Sequence, residues 1–231
     1  MANVCISQFA FYCENDELRL LKLYTILKNF FLDELNKEDV SKDSRGDFRI
    51  YHLLTEYLGM DSEYASEISC RSEITETPEL LDYPYKEGAK MVRVFIDSAW
   101  SPPVEFANEL CQIVKGVMPV ESDIDFVYMA EEPGCEIYIN TDVNREIFTC
   151  AFFMEWDDGK DTCSDYYGES KAEIARLQKD IKSLTGLDYH PMDIISDTDK
   201  MREFQDAYWK KCKDAGEEDA WISIHYYETD Y

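Results

Sequence analysis

The chain predicts an α+β fold with a largely antiparallel sheet, and three observations carry that reading. Apolar periodicities run in the mixed order strand, helix, helix, strand, strand, helix, strands, helix, helix, strand. Two hairpins stand out, at Glu131-Glu132-Pro133-Gly134 and at Asp157-Asp158-Gly159, so neighbouring strands pair antiparallel. No Gly/Ser-rich or Pro-rich linker divides the chain, and no internal repeat is visible. The expected layout is a first domain over 1–145 and an α+β extension over 146–231, with one single domain over 1–231 as the alternative.

Val4, Ile6, Phe9 and Phe11 mark an opening strand. Asn15 suits a helix N-cap, and Asp16 and Glu17 suit the positive first turn. Leu20, Tyr24, Leu27 and Phe31 then form one buried helical face. Lys37 to Gly46 reads as a charged connection, and a second helix spans about Phe48 to Leu58, stopped by Gly59. Ile68 to Thr75 is expected to be a strand, and Thr77 to Gly88, with two prolines, an irregular loop.

Met91 to Ile96 is nearly all apolar, which marks a strand central in its sheet. It runs to Trp100. Ser101 is positioned to cap the next helix, with Pro102 at its first position and Phe106, Leu110, Ile113 and Val117 on its buried face. Ile124, Phe126 and Tyr128 alternate as one strand, and Cys135, Ile137 and Ile139 as another. A long strand is expected over Ile147 to Trp156, returning through Thr162 to Tyr167. Ser170 and Glu173 make a capping box for a helix burying Ile174, Leu177, Ile181 and Leu184, closed by Gly186. Asp197 to Asp214 is the last helix, with Met201, Phe204 and Tyr208 inward, and Trp221 to Tyr227 the last strand.

The block from Met91 to Asp142 resembles the ferredoxin-like domain of the YubB type, found in proteins of plasmids and phages. The resemblance rests on Ser98-Ala99-Trp100-Ser101-Pro102-Pro103 after a strand, on the helix behind it and on Glu132-Pro133-Gly134; the opening Asn3-Val4-Cys5 is similar as well. Tyr138-Ile139-Asn140 stands where the family has an aromatic-Gly pair. The resemblance implies a βαββαβ core, to which the remaining strands and helices are C-terminal additions, and a mobile-element setting. It implies no activity.

Charge narrows the function classes. Lys and Arg number 23 against 49 Asp and Glu, a net −26, while 45% of residues are hydrophobic and 14% aromatic. The apolar content is that of a folded protein. The charge repels phosphate backbones and anionic lipid surfaces. Tyr128 and Tyr138 resemble the base-stacking aromatics of RNA-binding sheets, but the basic rim such binding needs is missing. No run approaches the roughly 18 apolar residues of a membrane span, and the N-terminus lacks a signal-peptide pattern, so a cytoplasmic location is expected. The eight scattered cysteines form no Cys-x-x-Cys pair and are expected to be reduced, mostly in core-like positions.

No nucleophile–base constellation, phosphate-binding loop or metal-ligand spacing is found, so no catalytic residue, metal or cofactor is assigned. His52, His190 and His225 read as structural or exposed. The binding candidates are Trp100, Ser101, Tyr128, Glu131 and Glu132, around the strand-to-helix turn and the next hairpin. Trp100 is expected to cover the open end of the core; ligand contact is the alternative. The residue stretch Gly116 to Asn144, without Lys or Arg, reads as a solvated acidic face. Together these features suggest a non-enzymatic interaction or accessory protein whose partner carries a basic patch. The alternatives are an acidic decoy for a nucleic-acid-binding surface, and an enzyme or small-ligand binder with a pocket near Trp100.

Overall fold

A computed structural model of the 231-residue chain describes residues 4–13, 17–35, 50–69, 71–115 and 124–229. The fold is mixed α+β, and both of its sheets are antiparallel throughout. Contacts divide the chain into a unit over 1–142 and a unit over 143–231, where the sequence places the boundary at 145.

In the first unit β1 (Val4–Tyr12) runs between β4 (Lys90–Ala99) and β5 (Asp125–Glu132). The order across the sheet is β2 (Glu73–Ile74), β4, β1, β5, β6 (Ile137–Asn140), and β3 (Glu79–Asp82) pairs β4 beside β2. Helix α1 (Glu17–Leu35) follows β1, and α4 (Val104–Lys115) follows β4. Both share one core with Cys5, Phe9 and Phe11 of β1, with Val92, Val94 and Ile96 of β4, and with Tyr128 and Ala130 of β5. Phe9 stacks on Tyr128 at 5.3 Å and lies 5.8 Å from Phe126, so aromatic contacts tie β1 to β5 under the helices.

Register partners share a face and side chains alternate along a strand, so the sequence neighbours of these residues occupy the opposite face. That places Val4, Ile6, Gln8, Ala10 and Tyr12 with Phe95, Asp97, Ala99, Met129 and Glu131 on the side away from α1 and α4. Val4 and Ile6 are therefore not core members of the first strand, as their hydrophobicity suggests, but 51% and 56% exposed. Cys5 and Ser7 take the inward positions beside them.

Four further expectations are corrected. Ser62–Ile68 is a helix (α3), because the Asp61 carboxylate accepts hydrogen bonds from the amides of Glu63 and Tyr64 at 2.9 and 3.2 Å; only Glu73–Ile74 of the expected strand remains. The supposed loop after Thr77 contains β3, held by pairs such as Glu79 with Arg93. Helix α4 starts at Val104, the Pro103 carbonyl accepting from the Ala107 amide, so Ser101 lies outside its first turn. The long strand begins at Phe152, leaving Ile147 to Ala151 outside it.

The second helix continues from α2 (Ile50–His52) into a π-helical segment over Leu53–Tyr57, in which the Leu58 amide reaches the Leu53 carbonyl at 3.1 Å. Gly59 follows with φ +67°, the left-handed conformation that ends a helix. In α1 the buried face is Leu20, Leu23, Leu27, Phe30 and Phe31, with Tyr24 at its flank. The Asn15 cap, the 37–46 connection, the start at Phe48, Val117, Cys70, Asn3 and the acidic stretch over 116–123 lie outside the described residues.

The second unit is a three-stranded sheet in the order β8 (Thr162–Tyr167), β7 (Phe152–Asp157), β9 (Trp221–Tyr226). The β7–β8 turn has four residues, since Asp157 pairs with Thr162. Asp157 and Asp158 hold it by accepting from the amides of Gly159, Lys160 and Asp161. Helices α5 (Lys171–Thr185), α6 (Pro191–Ser196) and α7 (Thr198–Asp214) share a core with the sheet through Leu177, Ile181, Ile194, Phe204, Tyr208, Ile222 and Ile224. Ser170 caps α5 and Gly186, at φ +80°, ends it. The sequence reading misses α6, although His190 caps it through Nδ1 and Pro191 opens it.

Candidate functional site: the open face of the N-terminal sheet

The five residues singled out by the sequence do not converge. Tyr128 and Glu132 lie on the helix-covered side of β5, with Tyr128 in the aromatic stack and Glu132 only 2% exposed. Oε2 of Glu132 has no hydrogen-bond partner among the described residues. Tyr138, at 6% exposure, is likewise no stacking platform for a base. Glu131 sits on the opposite face, where its register partner in β1 is Ile6.

Trp100 departs most from expectation. Its residue is 52% exposed, and its φ of +74° puts a bulky side chain in the left-handed region. A tight local network imposes that backbone. The Ser101 amide donates to the Ala99 carbonyl at 3.0 Å, and Ser98 Oγ donates to the Ser101 carbonyl at 2.7 Å. The half-buried Ser101 thus works through its main chain, holding Trp100 at the sheet end beside Ala99, the register partner of Val4.

Register gives the surface its composition. One row crosses the sheet as Glu73, Asp97, Ile6, Glu131 and Tyr138, each the Cα partner of the next. The adjoining row holds Ala99 and Val4. The face therefore presents two exposed aliphatic side chains flanked by three carboxylates, with an exposed indole at the rim. Glu73 and Asp97 oppose each other on adjacent strands, a placement that like charges make unfavourable. Partial burial, followed by the charge of Glu73, pushes the Asp97 carboxyl above the usual carboxylate range. Farther along β4 the same face is neutralised: Arg93 grips Glu79 Oε2 through Nε and Nη2 at 2.8 and 2.6 Å and lies 5.4 Å from the Phe95 ring.

Val4, Ile6, Glu73 and Asp97 are the members the sequence reading missed. Parity was the available signal: Val4 and Ile6 share the even positions of a strand whose aromatic core residues, Phe9 and Phe11, are odd. Glu73 and Asp97 had no such signal, because their pairing depends on the register of β2 against β4.

Elsewhere the chemistry is structural. His52 lies 4.0 Å from Glu56, and His190 is spent on its helix cap. Among the described residues no group of three or more His, Cys, Asp or Glu is arranged to hold a metal ion, and no helix is long and apolar enough to cross a membrane. Among the seven described cysteines, Cys5, Cys13 and Cys111 are buried, whereas Cys135 and Cys163 are exposed, against the expected core positions. Two shallow concavities, of about 350 Å³ between α5 and α7 and about 260 Å³ beside Glu17 and Lys86, do not border Trp100. Comparison of the chain with protein-family models, with curated proteins and with solved structures finds no match in any of the three.

Proposed function

We propose that this protein is a non-enzymatic interaction protein, an accessory factor of a mobile genetic element, that binds a basic protein partner through the open face of its N-terminal sheet. The single observation behind the reading is the row Glu73, Asp97, Ile6, Glu131 with Val4 and Trp100 beside it: exposed apolar area next to carboxylates in like-charged opposition. Apolar contact supplies affinity at such a surface, and the acids select a cationic partner and speed its approach. A net charge of −26 adds long-range attraction for basic proteins and repulsion of nucleic acid. The unit is read as a ferredoxin-like βαββαβ core. In favour are the strand order β3, β4, β1, β5, and the two helices that follow β1 and β4 onto one face. The setting in a mobile element rests on the resemblance of the Trp-Ser-Pro-Pro segment.

Affinity capture from a host lysate, at low and high salt, tests the reading when wild-type protein is compared with Ile6→Glu. Partners retained by wild type at low salt, released at high salt and lost with Ile6→Glu are the expected result. Tight binding to DNA or RNA at physiological salt, or partners indifferent to Ile6→Glu, would count against it.

A further inference from the structure

The form of the partner's contacting element follows from the spacing of the row. Adjacent strands lie about 4.8 Å apart, so Asp97, Ile6 and Glu131 fall at about 0, 4.8 and 9.6 Å along a line perpendicular to the strands. An α-helix rising 1.5 Å per residue places positions i, i+3 or i+4, and i+7 at about 0, 4.5–6 and 10.5 Å, all on one face. An extended segment repeats on one face only every ~6.7 Å, which misses Glu131 by about 3–4 Å whichever repeat is used. A strand running along β1 instead would meet Val4, Ile6 and Gln8 and leave the carboxylates at its sides.

Resting on the reading that the open face is the interaction surface, we infer that it binds an amphipathic helix of the partner laid across the strands. Basic side chains stand at i and i+7 and aliphatic ones at i+3 and i+4. The cation at i enters between Glu73 and Asp97. There a guanidinium, with its planar fork, relieves the opposition of two carboxylates by bridging them. The cation at i+7 meets Glu131. The aliphatic pair covers Ile6 and Val4, and the exposed Trp100 ring closes the rim of the contact.

Two labelled synthetic peptides of identical composition test this against the full chain by fluorescence anisotropy. In the first, Arg stands at i and i+7 and Leu at i+3 and i+4 of an Ala/Gln helix. In the second, the later Arg is moved two places, roughly 200° around the helix. The first peptide is expected to bind about tenfold more tightly, and Glu73→Gln with Asp97→Asn to reduce it to the level of the second. Equal binding of the two peptides, each still weakened by Ile6→Glu, would overturn the crossing-helix geometry and leave the open face as the surface. Equal binding that Ile6→Glu leaves untouched would overturn both.

Discussion

The two units handle their acids differently. In the C-terminal unit, 11 Lys and Arg face 21 Asp and Glu, and most of the cations are engaged inside the unit. Arg176 bonds Asp165 at 2.7 Å and Glu173 at 2.9 Å; Lys182 bonds Asp188, and Lys160 bonds Glu217. Where cations run short, tyrosines donate: Tyr189 to Glu203 and Tyr226 to Glu169, both at 2.6 Å, and Tyr167 to Asp180 at 3.2 Å. The N-terminal unit, with 12 cations against 28 acids, holds some acids in the same way, Asp82 by Lys90 and Glu109 by Tyr64, both at 2.5 Å, but it also sets Glu73 against Asp97 on a face that exposes Val4 and Ile6. Acids that hold a fold together are bonded locally, whereas acids kept for recognition stand beside exposed apolar area at some cost in stability.

The largest expected effect is at the strongest internal clasp. The Arg145 side chain is 5% exposed. Its guanidinium donates to the carbonyls of Cys150 and Tyr227 at 2.8 and 2.9 Å, meets Glu169 at 3.1 Å and lies 5.3 Å from the Tyr226 ring. It joins the residues before β7 to those after β9. Arg145→Met leaves these acceptors without their donor and should cost about 3–5 kcal/mol in urea unfolding, the usual result of removing one partner from a buried charged network. A loss below about 1 kcal/mol would place Arg145 among ordinary surface cations.

Next comes a matched pair in the first unit. Phe9→Ala, in the stack with Tyr128, should cost about 3–5 kcal/mol. Trp100→Gly should cost little or stabilise by about 1 kcal/mol, because glycine accepts the left-handed backbone that tryptophan strains, while capture of the partner fails. Similar losses for the two would return Trp100 to the core. Smaller still, Glu73→Gln with Asp97→Asn should raise stability by roughly 0.2–1 kcal/mol in the same assay, the range for a cross-strand pair, and weaken partner capture.

Acid titration separates the regions by sign. Asp97 has its pKa raised on folding, so the folded state takes up the proton first, and stability from this residue grows as pH falls through the folded value towards the unfolded one. Glu173 and Asp158 have theirs lowered, by Arg176 and by backbone amides, so what they contribute is present above the unfolded value and lost as pH falls. Asp97→Asn should therefore remove a gain on mild acidification, and Glu173→Gln should remove a loss, in melting profiles taken from neutral pH downward. At the alkaline end burial and Asp33 raise the Tyr57 pKa from its usual 10.0 to about 12, so stability from this phenol is intact below 10 and lost as pH rises through 12.

What was legible in the sequence follows the range of the forces involved. Local signals worked: the Ser170 cap, the Gly186 stop, and the apolar repeat that buries Phe106 and Leu110. They fixed the α+β class and most elements. A local signal was overlooked at Asp61, whose capping carboxylate outweighs the strand-like residues that follow, and again at Pro191. The surface was less legible because it is made by register. Trp100, Ser101 and Glu131 were singled out from the turn and hairpin they occupy, but Tyr128 and Glu132, one position out of phase, belong to the covered face. Nothing within β2 or β4 announces that Glu73 will face Asp97.

The central claim is that recognition belongs to the open face of the N-terminal sheet, and hydrogen exchange of the complex with its captured partner tests it most directly. The account predicts slowed exchange over residues 4–8, 73–75 and 95–101 and unchanged exchange in the helices and sheet of the C-terminal unit. Protection confined to residues 143–229, with the ends of β1 and β4 exchanging as in the free protein, would contradict it.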